Sequence, residues 1–382
     1  MKINTCHIIE PVGGHGGMNY YNMGLAEGLI SNGTKVKLYT CPESKEQSTD
    51  KIEILKVFKK IYGQDNKIIR ATRYLFGLIH SLNNIKKSNG KFCHLHFFQY
   101  SILEFITVFL CKLYRIKTIV TVHDVESFSK NELSPIQVQI LRIADHFIVH
   151  NQFSHSELLQ LLQRNKISKP ISIIFHGNYL PFIRPTETAT SRNQLEIPQN
   201  KNVILFFGQI KKVKGLEVLL KALPLVIHSK PDTVLVIAGK VWKDTFEGYQ
   251  RIIEELGLSS NTIQHIRYIP DDQVDYYYSA ADVVALPYKK IYQSGVLLMA
   301  MSYGCVTVSS RLPAMKEVVA DGINGYMFDT DNSIDLAKVL IKALDANNRQ
   351  AISDEAIASM KENHDWKKLA TQHMEVYKSY AQ

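Results

Sequence analysis

The sequence predicts an α/β protein of two doubly wound domains, each a parallel sheet with helices on its faces, set against one another across a cleft. Three observations predict it. Strand-length runs of β-branched and apolar residues alternate with helix-spaced apolar residues along the chain. Several of those strand runs end in glycine-bearing loops that open a helix. The alternation breaks once, over a tract rich in Thr, Ser, Pro and Asn, and then restarts. The expected divisions are a first domain over 1–182, a linker over 183–200, a second domain over 201–360 and a final helix over 361–382.

With 382 residues, 45% hydrophobic and 21% charged, the chain is long enough for two separate cores. The cysteines Cys6, Cys41, Cys93, Cys111 and Cys305 are odd in number and lie far apart in sequence. That pattern points to a reducing, cytoplasmic compartment, with neither a disulfide framework nor a zinc site. The first strand begins at Lys2, which leaves no room for a secretory leader. The longest apolar run, 102–114, contains Glu104 and Lys112 and is too short to span a bilayer. A formal charge of +9 favours an acidic partner: a phosphate-bearing substrate, an anionic membrane or nucleic acid.

In chain order, residues 2–10 form a first strand, followed by a glycine loop through Gly16 and Gly17 and a helix over 19–32. Residues 35–40 are a second strand. The loop is only loosely like a dinucleotide fingerprint, because Asn19 stands where the third glycine belongs, so a nicotinamide cofactor is not expected. Residues 51–91 carry ten lysines and arginines against Glu53 and Asp65. There Ile68, Ile69, Leu75, Phe76, Ile79 and Leu82 recur at helical spacing, a stripe expected to pack on the sheet. The charges around it suit an anionic membrane face. Residues 92–98 form a buried strand with His94 and His96 on one face; no third ligand nearby supports a metal. A buried helix over 102–114 and a strand over 118–122 follow, and that strand ends at His123-Asp124. Titratable residues at the carboxyl end of a buried parallel strand are where open α/β sheets place their sites. A helix over 137–144, a strand over 147–149, a helix from Asn151 and a strand over 172–175 complete this half.

After the linker, strand 203–207 runs into the loop Gly208-Gln209-Ile210-Lys211-Lys212-Val213-Lys214-Gly215, and a helix covers 216–227. Strand 233–238 ends in Gly239-Lys240. A helix over 249–256, a strand over 263–269 and a short helix over 271–279 come next. Strand 281–287 then leads through Gln293-Ser294-Gly295 into an apolar helix closed by Tyr303-Gly304, and strand 305–309 follows. The first N–H groups of a helix lack internal acceptors and carry partial positive charge, so Ser294, Gly295 and Val296 form a seat for a phosphate. Glycine-flanked Lys211, Lys212 and Lys214 at another strand end suggest a second anion contact, and the two together suggest a diphosphate.

The ordered set of these motifs, over nearly the whole length, resembles glycosyltransferase family 4, the retaining nucleotide-sugar enzymes of GT-B fold. Gly16-Gly17 resembles the family's first glycine loop, and Thr121-Val122-His123-Asp124 its acceptor-side histidine motif. Gly208-Gln209 through Lys214-Gly215 is similar to its basic glycine loop, and Ile237-Ala238-Gly239 to the strand before the nucleobase loop. Residues 280–287 (AADVVALP), and Ala300-Met301 through Gly304 with Glu317-Val318-Val319, complete the match. Trp366 sits where the family's last helix crosses back to the first domain. Two departures stand out. The family's glutamate pair is replaced by Ile291 and Met299, and the arginine of the basic loop by Gln209.

The resemblance implies an acceptor-side first domain and a nucleotide-sugar-binding second domain. It implies transfer of a hexose from a UDP- or GDP-linked sugar to an acceptor hydroxyl, with retention and without a metal or other cofactor. His123, Asp124 and Lys214 are the implied catalytic residues. Gly16, Gly17, Gln209, Lys211, Lys212, Gly239, Lys240, Tyr268, Ile269, Ser294, Gly295, Val296 and Glu317 are the implied donor contacts. The basic stretch 51–91 fits a polyprenyl-diphosphate-linked acceptor in cell-surface polysaccharide or O-antigen assembly, with the protein peripheral on the inner membrane face; nucleic acid is not an expected partner. The missing glutamates motivate a second reading, a catalytically silent partner subunit. A nucleotide-sugar epimerase is a third.

Overall fold

A computed structural model describes residues 3–13, 17–44, 46–123 and 133–381. The chain divides into two compact units, Met1–Gly177 with His364–Gln382, and Asn178–Asn363.

The first unit contains β1 (Thr5–Ile9), α1 (Met18–Ser31), β2 (Lys35–Thr40), β3 (Ile52–Lys56), α2 (Lys67–Lys87) and β4 (Phe92–Phe97). It continues with α3 (Ile102–Leu113), β5 (Lys117–Val122), α4 (Pro135–Ile143), β6 (His146–Val149), α5 (Gln152–Arg164) and β7 (Ile171–Ile173). The seven strands are parallel in the order β3-β2-β1-β4-β5-β6-β7. The winding reverses between β1 and β4, the topological position at which such sheets open a crevice at their carboxyl ends.

The second unit contains α6 (Thr188–Gln194), β8 (Asn202–Phe207), α7 (Leu216–Ser229), β9 (Thr233–Ala238), α8 (Glu247–Glu255), β10 (Thr262–His265), α9 (Asp271–Ala280) and β11 (Val283–Leu286). After these come α10 (Gly295–Ser302), β12 (Val306–Ser310), α11 (Pro313–Lys316), β13 (Tyr326–Phe328), α12 (Ser333–Ala343) and α13 (Arg349–Asn363). Its six parallel strands run β10-β9-β8-β11-β12-β13, with the reversal between β8 and β11. The strands are apolar on both sides because helices cover both faces. Leu216, Leu219, Leu220 and Leu223 of α7 pack with Leu336 and Leu340 of α12 in one core with the buried residues of the sheet.

The last helix, α14 (Trp366–Lys378), belongs to the first unit and lies on α1. Trp366 fits a notch made by glycines. A Cβ on Gly24 would lie 2.1 Å from the indole, and one on Gly177 2.2 Å from it. His94 on β4 is a satisfied core residue, sharing hydrogen bonds with Tyr377 Oη of α14 (2.6 Å) and Thr121 Oγ1 of β5 (2.7 Å).

Three expectations change. Strand β3 lies inside the stretch that its charge marked as surface; its pairing with β2 outweighs the local polarity. The segment expected as a linker over 183–200 is structured: α6 packs on α9, and Leu195 and Ile197 are buried. Arg192 is buried there too, bonded to Asp282 (2.9 Å) and to the carbonyls of Ala280 and Gln199. Polar composition hid a helix held by tertiary ion pairing. The α2 stripe is split: Leu82 of the expected set is buried together with Gly77, Leu78, Ser81 and Ile85, and Leu75 is half-buried, while Ile68, Ile69, Phe76 and Ile79 are exposed. Among the described residues, no helix is long and apolar enough to cross a membrane.

Candidate functional site

In the second unit the site grows from the carboxyl ends of β8, β9 and β11. Gly208 (φ 101°) and Gly239 (φ 151°) hold two loops backbone to backbone: a Cβ on Gly239 would sit 1.8 Å from the Gly208 carbonyl oxygen. The Gly208 N–H donates to Ala238 O (2.9 Å) and the Ile210 N–H to Lys240 O (3.0 Å), so the loops prolong the strand pair. On the other side Gly215 (φ 66°) presses on β11, where a Cβ would lie 1.9 Å from Pro287 O. The Lys289 N–H donates to Val213 O (2.8 Å), tying the lysine loop to the end of β11.

This packing aims Lys214. Its Nζ lies 3.7 Å from the centre of the Tyr288 ring. Burial of the ammonium, and then the nearby Lys211, pull its pKa down to about 7. Tyr288 is buried with its hydroxyl against Ser294, and burial holds that hydroxyl well above the usual tyrosine range. Ser294 caps α10, its Oγ accepting the Leu297 N–H (3.2 Å). The N–H groups of Gly295 and Val296 precede the first intrahelical acceptor. The Val296 methyl would be 3.3 Å from a Cβ on Gly208. Lys214, Gly208, Gly239 and the opening of α10 thus converge through Tyr288 and Ser294. A lysine whose pKa burial has drawn down to about 7 gains a proton and a full charge when a dianion arrives.

The remaining sequence-derived residues are spread around this centre. Lys211 lies 5.4 Å from the Trp242 ring centre. Lys212 stands apart: its side chain is 85% exposed, pairs with Asp244 (3.5 Å) and borders a separate cavity of about 550 Å³ shared with Glu217, Arg251 and Lys289. A 3₁₀ turn over Lys212–Lys214 sets successive side chains about 120° apart, so neighbouring lysines point to different sides. Gln209 and Lys240 are exposed at the loop tips. Ile269 is buried and Tyr268 is exposed, both beyond β10, which ends at His265 rather than at 269. Glu317 is exposed at the end of α11, after β12. Ile291 and Met299 are half-buried, and neither offers a carboxylate. Asp329 and Asp331 are spent on Arg311 and Lys289, and among the described residues no His, Cys, Asp and Glu cluster is placed to hold a metal.

In the first unit Gly17 (φ 81°) starts α1; Gly16 and Asp124 lie outside the described residues. Glu10, at the end of β1, was not foreseen. Its buried carboxylate accepts the N–H groups of Val12 (2.7 Å) and Gly13 (2.8 Å) and Asn22 Nδ2 (3.0 Å), which fixes the start of the glycine loop. Burial pushes its pKa up to about 7 against the pull of those bonds. A carboxylate ending a buried strand just before P-V-G-G was the signal available in the sequence. His123 follows β5, its ring stacked on Phe98 (4.6 Å) and edge-on to buried Tyr21 (5.1 Å). Its Nε2 shares a hydrogen bond of 2.9 Å with His96 Nδ1. Burial, with neighbouring His150, His176 and His94, holds His123 well below the ordinary imidazole pKa, so it is neutral. His96 Nε2 is buried and has no hydrogen-bond partner among the described residues. A buried N–H without an acceptor is the costlier orphan, so hydrogen-bond balance puts the His96 proton on Nδ1. His123 then accepts at Nε2 and carries its own proton on Nδ1.

Two family descriptions match the chain, "Glycosyltransferase Family 4" over residues 15–178 and "Glycosyl transferases group 1" over 187–363. The chain belongs to glycosyltransferase family 4. This glycosyltransferase is 25% identical to a D-inositol 3-phosphate glycosyltransferase of Corynebacterium urealyticum, covering 96% of this chain and 91% of the other. It is 23% identical to that of Corynebacterium glutamicum, over 99% and 95%. Among solved structures, sucrose-phosphate synthase of Thermosynechococcus elongatus superposes with TM-score 0.78 at 17% identity, over 98% of each chain. HepE of Anabaena in complex with UDP-glucose matches with TM-score 0.73 at 16% identity, over 98% of this family 4 chain and 99% of HepE. The glycosyltransferase thus has the two-domain α/β architecture of the GT-B class.

Proposed function

We propose that this glycosyltransferase moves a hexose from a nucleoside diphosphate sugar, UDP- or GDP-linked, to an acceptor hydroxyl, with retention and without a metal. The observation that carries the reading is Lys214 held over the Tyr288 ring at the end of β11, with Val296 at the opening of α10 packed against Gly208. As the glycosidic bond breaks, negative charge grows on the leaving β-phosphate. Lys214 and the N–H groups of Gly295 and Val296 stabilise that charge where it develops. Lys211, Gly239, Tyr268 and Ile269 border the rest of the nucleotide. The family resemblance assigns His123, donating from Nδ1, and Asp124 next to it in sequence to the donor sugar or the incoming hydroxyl, and Gly16 and Gly17 to the donor sugar. HepE, solved with UDP-glucose, supports a uridine donor.

The acceptor in this reading carries phosphate. A polyprenyl-diphosphate glycan of cell-surface polysaccharide or O-antigen assembly fits the basic stretch 51–91, with the enzyme on the inner face of the membrane. WaaG, described as a glycosyltransferase involved in lipopolysaccharide biosynthesis, matches in fold with TM-score 0.66. A phosphorylated polyol is the second candidate, favoured by the relatives named D-inositol 3-phosphate glycosyltransferases.

The test is a thermal-shift panel of UDP, GDP and ADP with wild type and Lys214→Ala, followed by turnover of the matching nucleotide sugars. A diphosphate that stabilises wild type and spares the variant supports the reading. Equal shifts in both proteins would place the phosphate elsewhere, and binding without turnover of any donor would favour the silent-subunit alternative.

A further inference from the structure

The outward stripe on α2 has a counterpart on α3. On α3, Ile102, Ile106, Phe109 and Leu113 follow at spacings of four, three and four, one line down the helix. Ile102 is 51% exposed, Phe109 42% and Leu113 61%. On α2, Ile68 is 76% exposed and Phe76 72%, with Ile79 on the same side. The two helices touch, and Tyr74 Oη and Thr107 Oγ1 share a hydrogen bond of 2.8 Å between them. Their inner faces are already used: Leu78, Leu82, Val108 and Cys111 are fully buried. The outer apolar residues therefore serve nothing within the first unit. Large exposed apolar side chains lined up on two touching helices mark an interaction site.

Charge selects the occupant. Lys67, Arg70 and Arg73 stand on α2, Lys59 and Lys60 just before it, and Lys112 and Arg115 at the end of α3. The acidic residues nearby are engaged: Asp65 by Arg73, and Glu104 by the capping box at Ser101. A basic rim around large aliphatic and aromatic side chains is the composition of a surface that lies in the headgroup region of an anionic bilayer. We propose that α2 and α3 together form a membrane-inserting face, with Ile68, Phe76, Phe109 and Leu113 entering the acyl boundary and the rim cations meeting lipid phosphate. This deepens the membrane part of the reading above and extends the contact to α3, beyond 51–91.

Its test uses no donor, so it can fail while the transfer reaction stands, and the reverse. The full-length chain is co-sedimented with phosphatidylglycerol-containing vesicles and with pure phosphatidylcholine vesicles. The variants are Ile68→Ser/Phe76→Ser, Phe109→Ser/Leu113→Ser and Lys67→Glu/Arg70→Glu. Because the substituted residues are exposed, folding is checked by an unchanged melting temperature. Each double variant is expected to lower the partition coefficient on anionic vesicles by about tenfold or more, with weak binding to phosphatidylcholine throughout. All five native cysteines are buried, so Phe76→Cys takes an environment-sensitive dye selectively, and its emission is expected to shift blue on anionic vesicles. Loss in the charge variant alone, with both serine variants binding as wild type, overturns insertion. Self-association in solution that the serine variants abolish, with no vesicle binding, assigns the face to a protein contact and also overturns it.

Discussion

The two units share a winding scheme and differ in what they bury at its working end. In the first, the carboxyl ends of β4 and β5 stand over a set of neutral imidazoles: His94, His96, His123, His150 and His176 around Tyr21 and Trp366. In the second, the ends of β8, β9 and β11 meet as bare backbone, glycine against carbonyl, with one semi-buried lysine. The first arrangement presents ring nitrogens with fixed protons. The second presents partial and full positive charge to an anion. One topology thus hosts two chemistries because topology fixes where strands end, and only the side chains there decide what is recognised.

The largest expected difference is in acid. Burial holds the pKa of His7, His146, His150 and His373 down to about 4, and His94, His96 and His123 well below the usual value. For a depressed imidazole the unfolded chain binds more protons between its own pKa near 6.5 and the folded value. The stabilising effect is complete above 6.5 and is lost as pH falls toward 4, by up to about tenfold in the folding equilibrium per histidine per pH unit. In the second unit His265 alone is lowered among the described residues. Hydrogen exchange between pH 7 and 5 is expected to lose protection in 3–177 well before 178–363. Simultaneous loss would break the comparison.

Next in size is Gly239→Ala, which places a methyl group against the Gly208 carbonyl at a positive φ. It is expected to cost roughly 2–4 kcal/mol, read as a lower melting temperature confined to the second unit.

Lys214→Ala is expected to leave the fold intact and weaken UDP binding by about thirtyfold, roughly 2 kcal/mol, by calorimetry. Because the free lysine titrates near 7 and a bound phosphate raises it, wild-type affinity should fall as pH rises from 7 to 9 with proton uptake on binding. A flat profile would mean that the lysine is charged before ligand arrives.

The smallest expected effect belongs to the imidazole pair. His96→Leu removes the donor to His123 Nε2, whereas His96→Asn keeps an N–H near the Nδ1 position. The ¹⁵N shifts of His123 should move to the other tautomer in the leucine variant and stay as in wild type in the asparagine variant, with a change in stability of about 1 kcal/mol or less for asparagine.

What was legible in the sequence follows from these differences. The ends of β5, β8 and β9, the loops at Gly208–Gly215 and Gly239, and the start of α10 are local patterns and appear where the sequence placed them, whereas β10 ends four residues early. Tyr288 was invisible as a site residue because its role is to seat Lys214 and Ser294, which are distant from each other in sequence. Glu10 and His96 likewise act through partners that only the sheet brings near. Periodicity on α2 announced an amphipathic helix but not which face the protein covers, since an apolar stripe is equally suited to a core or to a lipid surface. The helix α6 was lost in polar composition because its anchor, Arg192 to Asp282, spans much of the second unit's sequence.

The notch that Trp366 fills, near the end of the polypeptide, is made by residues far earlier in it, Gly24 and Gly28 on one side and Gly177 behind. During synthesis α14 leaves the ribosome after every strand of both sheets. The second unit, continuous over Asn178–Asn363, has all its parts while the first still waits for its closing helix. A stop codon shortly before Trp366 would therefore harm the half that was made first, exposing the α1 groove and inviting a chaperone there.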